Sequence, residues 1–258
     1  MKYRSPGRYV TSVAPVVRFP TPSLQRKLRA VVMQATGRFG ILMRRIFAVK
    51  QVPRLSWSSV SPFNLRPGWL TLFYLNLGLV LFGLGESLLI ASGAGVSPWT
   101  VLAQGIAYHT DWSIGFTTMV VSFAILLLWL PLKRKPGIGT ILNALIIAFM
   151  IDFSLVWLPY PGTLAWQLVQ AASGVLLVGV ASGIYLTANL GAGPRDGLMT
   201  GLQAATNLPI ATIRIALEVV AVSLGWYLGG VVGAGTLLFA FGVGPSVALG
   251  ILLVKRYL

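Results

Sequence analysis

Only five acidic side chains occur in the 258 residues, and four of them fall inside strongly apolar or Gly-rich stretches. Glu86 and Asp152 each stand alone in an apolar run. Arg214 and Glu218 are four residues apart, which on a helix puts them on one face. Arg195 and Asp196 are adjacent in LGAGPRDGLMTGL, residues 190–202, a Gly-rich turn with Pro194 inside it. An ionisable group at membrane depth costs about 2.5–3.5 kcal/mol on insertion scales and faces a protein interior or a water-filled cavity. Two readings of Glu86 and Asp152 stand side by side: groups protonated or hydrogen-bonded between helices, or coupling sites for a cation or proton. Both fall in the outer half of the membrane, which would make them neighbours. Arg214 and Glu218 read as a local ion pair that lets both charges be buried. A helix N-terminus favours a carboxylate, so the Arg195–Asp196 pair has a capping reading and a substrate-gating reading.

Other kinds of chemistry lack their residues. The chain has no cysteine and one histidine, His109, which leaves no disulfide, thiolate ligand or multi-histidine metal site. His109 reads as an interfacial residue beside Asp111. No G-x-S-x-G, H-E-x-x-H, P-loop or dinucleotide fingerprint is present. No catalytic residue, metal or cofactor is expected, and the chain is not expected to be an enzyme.

The elements that must position these groups are apolar helices. Charged residues make up 10% of the chain, against about 25% in soluble domains, and the mean hydropathy is +0.81. Several apolar runs approach or exceed the roughly 20 residues that cross a bilayer. The fold class is therefore an all-α polytopic membrane protein, with the lipid bilayer as its first partner.

The formal charge of +15 belongs to one segment, because thirteen of the twenty Lys and Arg precede residue 67 and no acidic residue precedes Glu86. Residues 1–67 read as a basic N-terminal arm, with a basic amphipathic helix possible over 23–50. Three readings of the arm compete: a cytoplasmic segment held by anionic lipid, a translation start at Met33 or Met43, and an Arg-rich transit peptide. No folded basic module for nucleic acid is visible.

Beyond the arm, spans are expected at 68–91, 114–132 and 137–159, with a short segment at 93–110. A second set is expected at 164–187, 209–228 and 233–254, with a short segment at 190–207. Sliding the chain by 96 residues pairs Gly95 with Gly191, Pro98 with Pro194, Gly105 with Gly201, and Gly137, Gly139 and Thr140 with Gly233, Gly235 and Thr236. Fixed-period similarity of this kind marks internal duplication. Residues 68–162 and 163–258 read as two tandem homologous halves. With six full spans the two short segments dip in and return, and the halves are inverted. The Lys133–Arg134–Lys135 cluster, Arg195 and Lys255–Arg256 then share one side with the basic N-terminus, as cytoplasmic loops do; with eight spans the first cluster and Arg195 fall outside.

Gly and Pro at the start of each short segment suit broken half-helices. Such segments mark the binding site in inverted-repeat transporters. The candidate central site is accordingly Gly95, Ser97, Pro98, Trp99 and Gln104 from the first short segment, with Asn189, Gly191, Pro194, Arg195 and Asp196 from the second. Asn143 is also polar enough to line a pathway or bridge helices. The function expected is a small-solute or ion transporter or channel; the alternative is a non-transporting membrane scaffold or regulator.

At GAGPRDGLMTGL, followed by PIATIRIALE and LGGVVGAGTLLFAFGVGP (228–245), the chain resembles the YczE/YyaS/YitT family of bacterial multi-pass membrane proteins, and its YczE group in particular. The resemblance covers roughly residues 68–256. It implies a bacterial plasma-membrane location and no particular substrate. Ser97-Pro98-Trp99 matches the family's S-P-W pattern. There Trp is commonly followed by Asp, whereas Thr100 stands here, so a carboxylate from both short segments is not expected. Arg134→Cys in this cysteine-free chain is expected to react with a membrane-impermeant thiol reagent only from the cytoplasmic side. Labelling of intact cells from outside would rule out the six-span arrangement.

Overall fold

The computed structural model describes residues 52–258; the arm's candidate helix and alternative starts lie outside the described residues. Among the described residues there are eight α-helices: α1 Trp69–Ser92, α2 Pro98–Thr110, α3 Ile114–Leu127, α4 Ile138–Leu155, α5 Leu164–Thr187, α6 Pro194–Thr206, α7 Ile210–Tyr227 and α8 Ala234–Tyr257. Five of them, α1, α4, α5, α7 and α8, are long and apolar enough to cross a membrane. A sixth passage exists only if α2 and α3, bent by 114° at their junction, are taken as one.

The full span expected at 114–132 is therefore shorter than the sequence suggests. Helix α3 has 14 residues, about 21 Å at 1.5 Å per residue, against a hydrocarbon core of about 30 Å. Pro131 is incompatible with a continuing helix, because it lacks an N–H and disfavours helical geometry in the residue before it. The chain turns instead through Leu128–Leu132, with Lys133 in the left-handed region at φ 51°.

Small residues set the helix crossings, as they do where lipid supplies no hydrophobic drive between helices. A methyl on Gly78 would meet Tyr185 and Ala181, and one on Gly85 would meet Val178 and Gly174, so α1 and α5 run antiparallel. Gly179 and Gly183 seat against Ser246 and Gly250, so α5 and α8 run parallel. Gly83 lies against Ile147 and Met150 of α4. Helix α2 packs on α7, and the corresponding short helix α6 packs on both α3 and α7.

Charge separates along this bundle. At one end Arg134 donates to the Thr200 carbonyl at 2.8 Å, Gly137 abuts Leu190 and Pro62, and α8 closes with Lys255 and Arg256. The opposite end holds Asp111, Asp152 and His109 at the α2–α3 turn and the end of α4. The last part of the basic arm belongs to the first end. Trp57 and Ser59 are buried, the Ser58 hydroxyl donates to the Thr187 carbonyl at 2.6 Å, and the Ser59 N–H donates to the Ala188 carbonyl at 3.0 Å. Residues 57–59 thus cap the end of α5, and the boundary expected at 67 does not separate them from the bundle.

The 96-residue offset reappears in backbone shape. Pro98 and Pro194, Ile114 and Ile210, and Ile138 and Ala234 open helices in register. Every positive-φ residue among the described residues has its counterpart 96 positions away: Gly93 with Asn189, Gly95 with Gly191, Asp111 with Asn207, and Lys133 with Gly229. Gly183→Leu is expected to drive its side chain into the Gly250 backbone and lower thermal stability in detergent by about 1–3 kcal/mol. Gly244→Ala, where nothing lies within 4 Å of an added methyl, is the control expected to leave the melting temperature unchanged.

Candidate functional site

Both short helices begin inside the bundle because the chain folds back before them. After α1, Gly93 adopts φ 67° and donates its N–H to the Ile90 carbonyl, and Gly95 at φ 109° presses against Gly233 and Thr236 of the α8 start. After α5, Gly191 at φ 114° presses against Gly137 and Thr140 of the α4 start. Reciprocal backbone bonds fix the returns: Gly235 N–H to the Ala94 carbonyl at 2.7 Å, and Gly139 N–H to the Leu190 carbonyl at 2.8 Å. The Thr140 hydroxyl adds a bond to the Ala192 carbonyl at 2.7 Å. Trp129 seats the second short helix, since its indole N–H donates to the Pro194 carbonyl at 3.0 Å while its ring covers Gly197.

Glu86, on α1, is 1% exposed and faces the start of α2. Its Oε2 accepts from the hydroxyls of Ser97 at 3.0 Å and Thr100 at 2.8 Å. Its Oε1 is buried without a hydrogen-bond partner. In the other half, Asp196 lies in the first turn of α6 and accepts from the Tyr185 hydroxyl at 3.1 Å. Gly193, the cap residue of α6, offers no side-chain bond. Asp196 therefore has the favourable dipole position expected for it, while its hydroxyl contact reaches across to α5.

The two halves each supply one carboxylate, but from different elements. Glu86 and Ser182 stand 96 residues apart, as do Thr100 and Asp196. Acid and hydroxyl are thus exchanged between the long helix and the short one. The departure at Thr100 does not remove the first carboxylate; it moves it to α1.

Two adjoining chambers surround these groups and share Trp99, Asn143 and Arg195 in their walls. The narrower has a cavity volume of about 20 Å³, room for one water-sized group, and reaches Glu86 and Pro194. The wider, about 220 Å³, is bordered by Tyr185, Asp196, Arg214 and Glu218. Arg214 Nε donates to Glu218 Oε1 at 2.8 Å, the local ion pair expected from the spacing, and it is the only ion pair among the described residues. The Arg195 guanidinium carbon lies 5.8 Å from the Phe82 ring centroid.

The remaining sequence-derived residues do other work. Ser97 holds Glu86, while Gly95 and Gly191 shape the returns. Pro98 opens α2. Gln104 and Asn189 do not border either chamber: Gln104 accepts from the Val231 N–H at 3.1 Å, and Asn189 donates to the Ser59 carbonyl at 2.8 Å. Asp152 accepts from the Ser113 hydroxyl at 2.6 Å and the Gly115 N–H at 2.8 Å, so it fastens the start of α3. Glu86 and Asp152, expected as neighbours, are held by different partners. Phe82, Tyr185 and Trp129 were not distinguished by sequence, because an aromatic residue in an apolar run resembles ordinary core.

Residues 69–251 match the model of a family of unknown function, DUF6198. An uncharacterised protein of Haemophilus influenzae is 40% identical over 208 residues, 81% of this chain and 94% of that protein. The uncharacterised membrane protein YczE of Bacillus subtilis is 34% identical over 169 residues, 63% of this chain and 77% of its own length. The uncharacterised protein YyaS of the same organism is 28% identical over 172 residues, covering 64% and 84%. No solved structure matches the chain.

Trp129→Phe deletes the bond to Pro194 and withdraws the outer edge of the ring from Gly197. It is expected to lower stability by about 1–3 kcal/mol, from one lost buried hydrogen bond and the space left by the smaller ring, read as a lower melting temperature in detergent.

Proposed function

The chain belongs to the DUF6198 family of membrane proteins, and we propose that within it this protein is a small-solute or ion transporter or channel, not an enzyme, whose site is the double chamber at the starts of α2 and α6. The observation that carries the reading is Arg195. It borders both chambers, begins a half-helix inside the bundle, and makes no ion pair among the described residues. A charge placed at such depth ordinarily faces a pathway or a partner, and the N-terminal turn of a helix adds its own attraction for anionic groups.

Three features support an inverted arrangement of the halves. Equivalent helices α1 and α5 cross antiparallel, the short returns are pinned by reciprocal bonds, and the left-handed backbone positions recur at one offset. The basic end of the bundle fits a cytoplasmic face, with both chain termini on that side of a bacterial plasma membrane.

Reconstituted into liposomes, the wild-type protein is expected to give flux of at least one class of small solute or ion. Arg195→Gln is expected to reduce that flux roughly 10- to 100-fold, as loss of one hydrogen bond to a charged group would, with an unchanged melting temperature. Absence of flux for every solute class, together with a stable co-purifying protein, would replace this reading with a scaffold.

A further inference from the structure

Two opposite charges border these chambers without a counter-charge. Glu86 Oε2 is satisfied by Ser97 and Thr100, but Oε1 is buried with no partner. Arg195 has the Phe82 ring beside it and no carboxylate within ion-pair distance among the described residues. The other charges at the wider chamber have partners already, Arg214 with Glu218 and Asp196 with Tyr185. Glu86 and Arg195 both border the narrower chamber but do not pair with each other. A buried carboxylate oxygen left unpaired is costly, and a ligand that completes it recovers that loss.

The same walls hold a third unpartnered polar atom. Trp99 Nε1 is buried without an acceptor, and Trp99 borders both chambers. An indole N–H only donates, so it suits an anionic oxygen. The start of α6 presents first-turn N–H groups that no capping side chain occupies. The inventory is therefore one open carboxylate oxygen at the narrow end and several donors around Arg195, with the carboxylates of Asp196 and Glu218 engaged by Tyr185 and Arg214.

We infer that the chamber takes a small zwitterion bearing an ammonium and a carboxylate, with the ammonium donating to Glu86 Oε1 and the carboxylate held by Arg195, the Trp99 indole N–H and the start of α6. This rests on the reading of the chamber as a solute site and names the class of solute. The narrow end fits a primary ammonium better than a bulky quaternary one.

The test uses the purified full-length protein in detergent, with binding read as a shift in melting temperature and by calorimetry. The probes are the common α-amino acids. For each that binds, its two single-charge analogues follow, as propionate and ethylamine do for alanine. At least one amino acid is expected to bind, with both of its analogues weaker by roughly tenfold or more, one lost charged contact. Glu86→Gln and Arg195→Gln are each expected to weaken it similarly; Arg195→Gln changes a partly exposed residue and remains informative if Glu86→Gln fails to fold. Equal binding of amino acid and carboxylate analogue, unaffected by Glu86→Gln, overturns the zwitterion while leaving a solute site. No binding across the panel, with flux of some other ion in liposomes, does the same. No binding and no flux overturn both.

Discussion

A peptide group buried away from water must be bonded by the protein itself, so a chain that breaks a helix inside a bundle must satisfy the break with its own atoms. The two returns before α2 and α6 meet that demand across the halves. Ala94 is paired by Gly235, and Leu190 is paired by Gly139. Each bond joins the loop of one half to the helix start of the other, so neither half closes its own break. Glycine is required at these helix starts because the facing backbone is so close: a methyl on Gly235 would meet the Gly95 carbonyl, and one on Gly139 would meet that of Leu190. The chamber, the half-helix starts and the placement of Arg195 all depend on these crossed contacts.

Much of this framework was legible in the sequence because it rests on residue types with a narrow physical meaning. Apolar runs marked the long helices, glycine and proline marked the breaks, and a four-residue spacing marked the Arg214–Glu218 pair. The offset of 96 residues was visible in glycines and prolines. It was invisible where the backbone shape persists but the residue does not, as at Gly93 with Asn189 or Lys133 with Gly229. The early end of α3 had a local cause in Pro131, which the surrounding apolar run concealed. Polar type alone misplaced Gln104 and Asn189: both bond backbone groups of neighbouring loops, and only tertiary contacts distinguish that task from lining a cavity. Tyr185 and Trp129 carry their roles through one hydrogen bond each, for which no spacing rule exists.

Symmetry of backbone and asymmetry of chemistry coexist at the centre. The halves share helix starts and turn conformations, yet the carboxylate sits on the long helix in one and on the short helix in the other. One consequence is that the two acids have unlike surroundings. Glu86 is enclosed by hydroxyls and retains an open oxygen, whereas Asp196 is engaged by a phenol beside a guanidinium.

The short helix α3 bears on the lipid around the protein as well as on the protein itself. Phe123 and Leu127 are exposed along it, so its apolar surface must be matched by acyl chains that are longer than it is. The surrounding leaflets must thin there, at a fraction of a kcal/mol per ångström of mismatch. Membrane mechanics thereby enters the energy of the bundle. A thinner bilayer favours the arrangement described, and any rearrangement that straightens the α2–α3 bend works with or against the elasticity of the membrane.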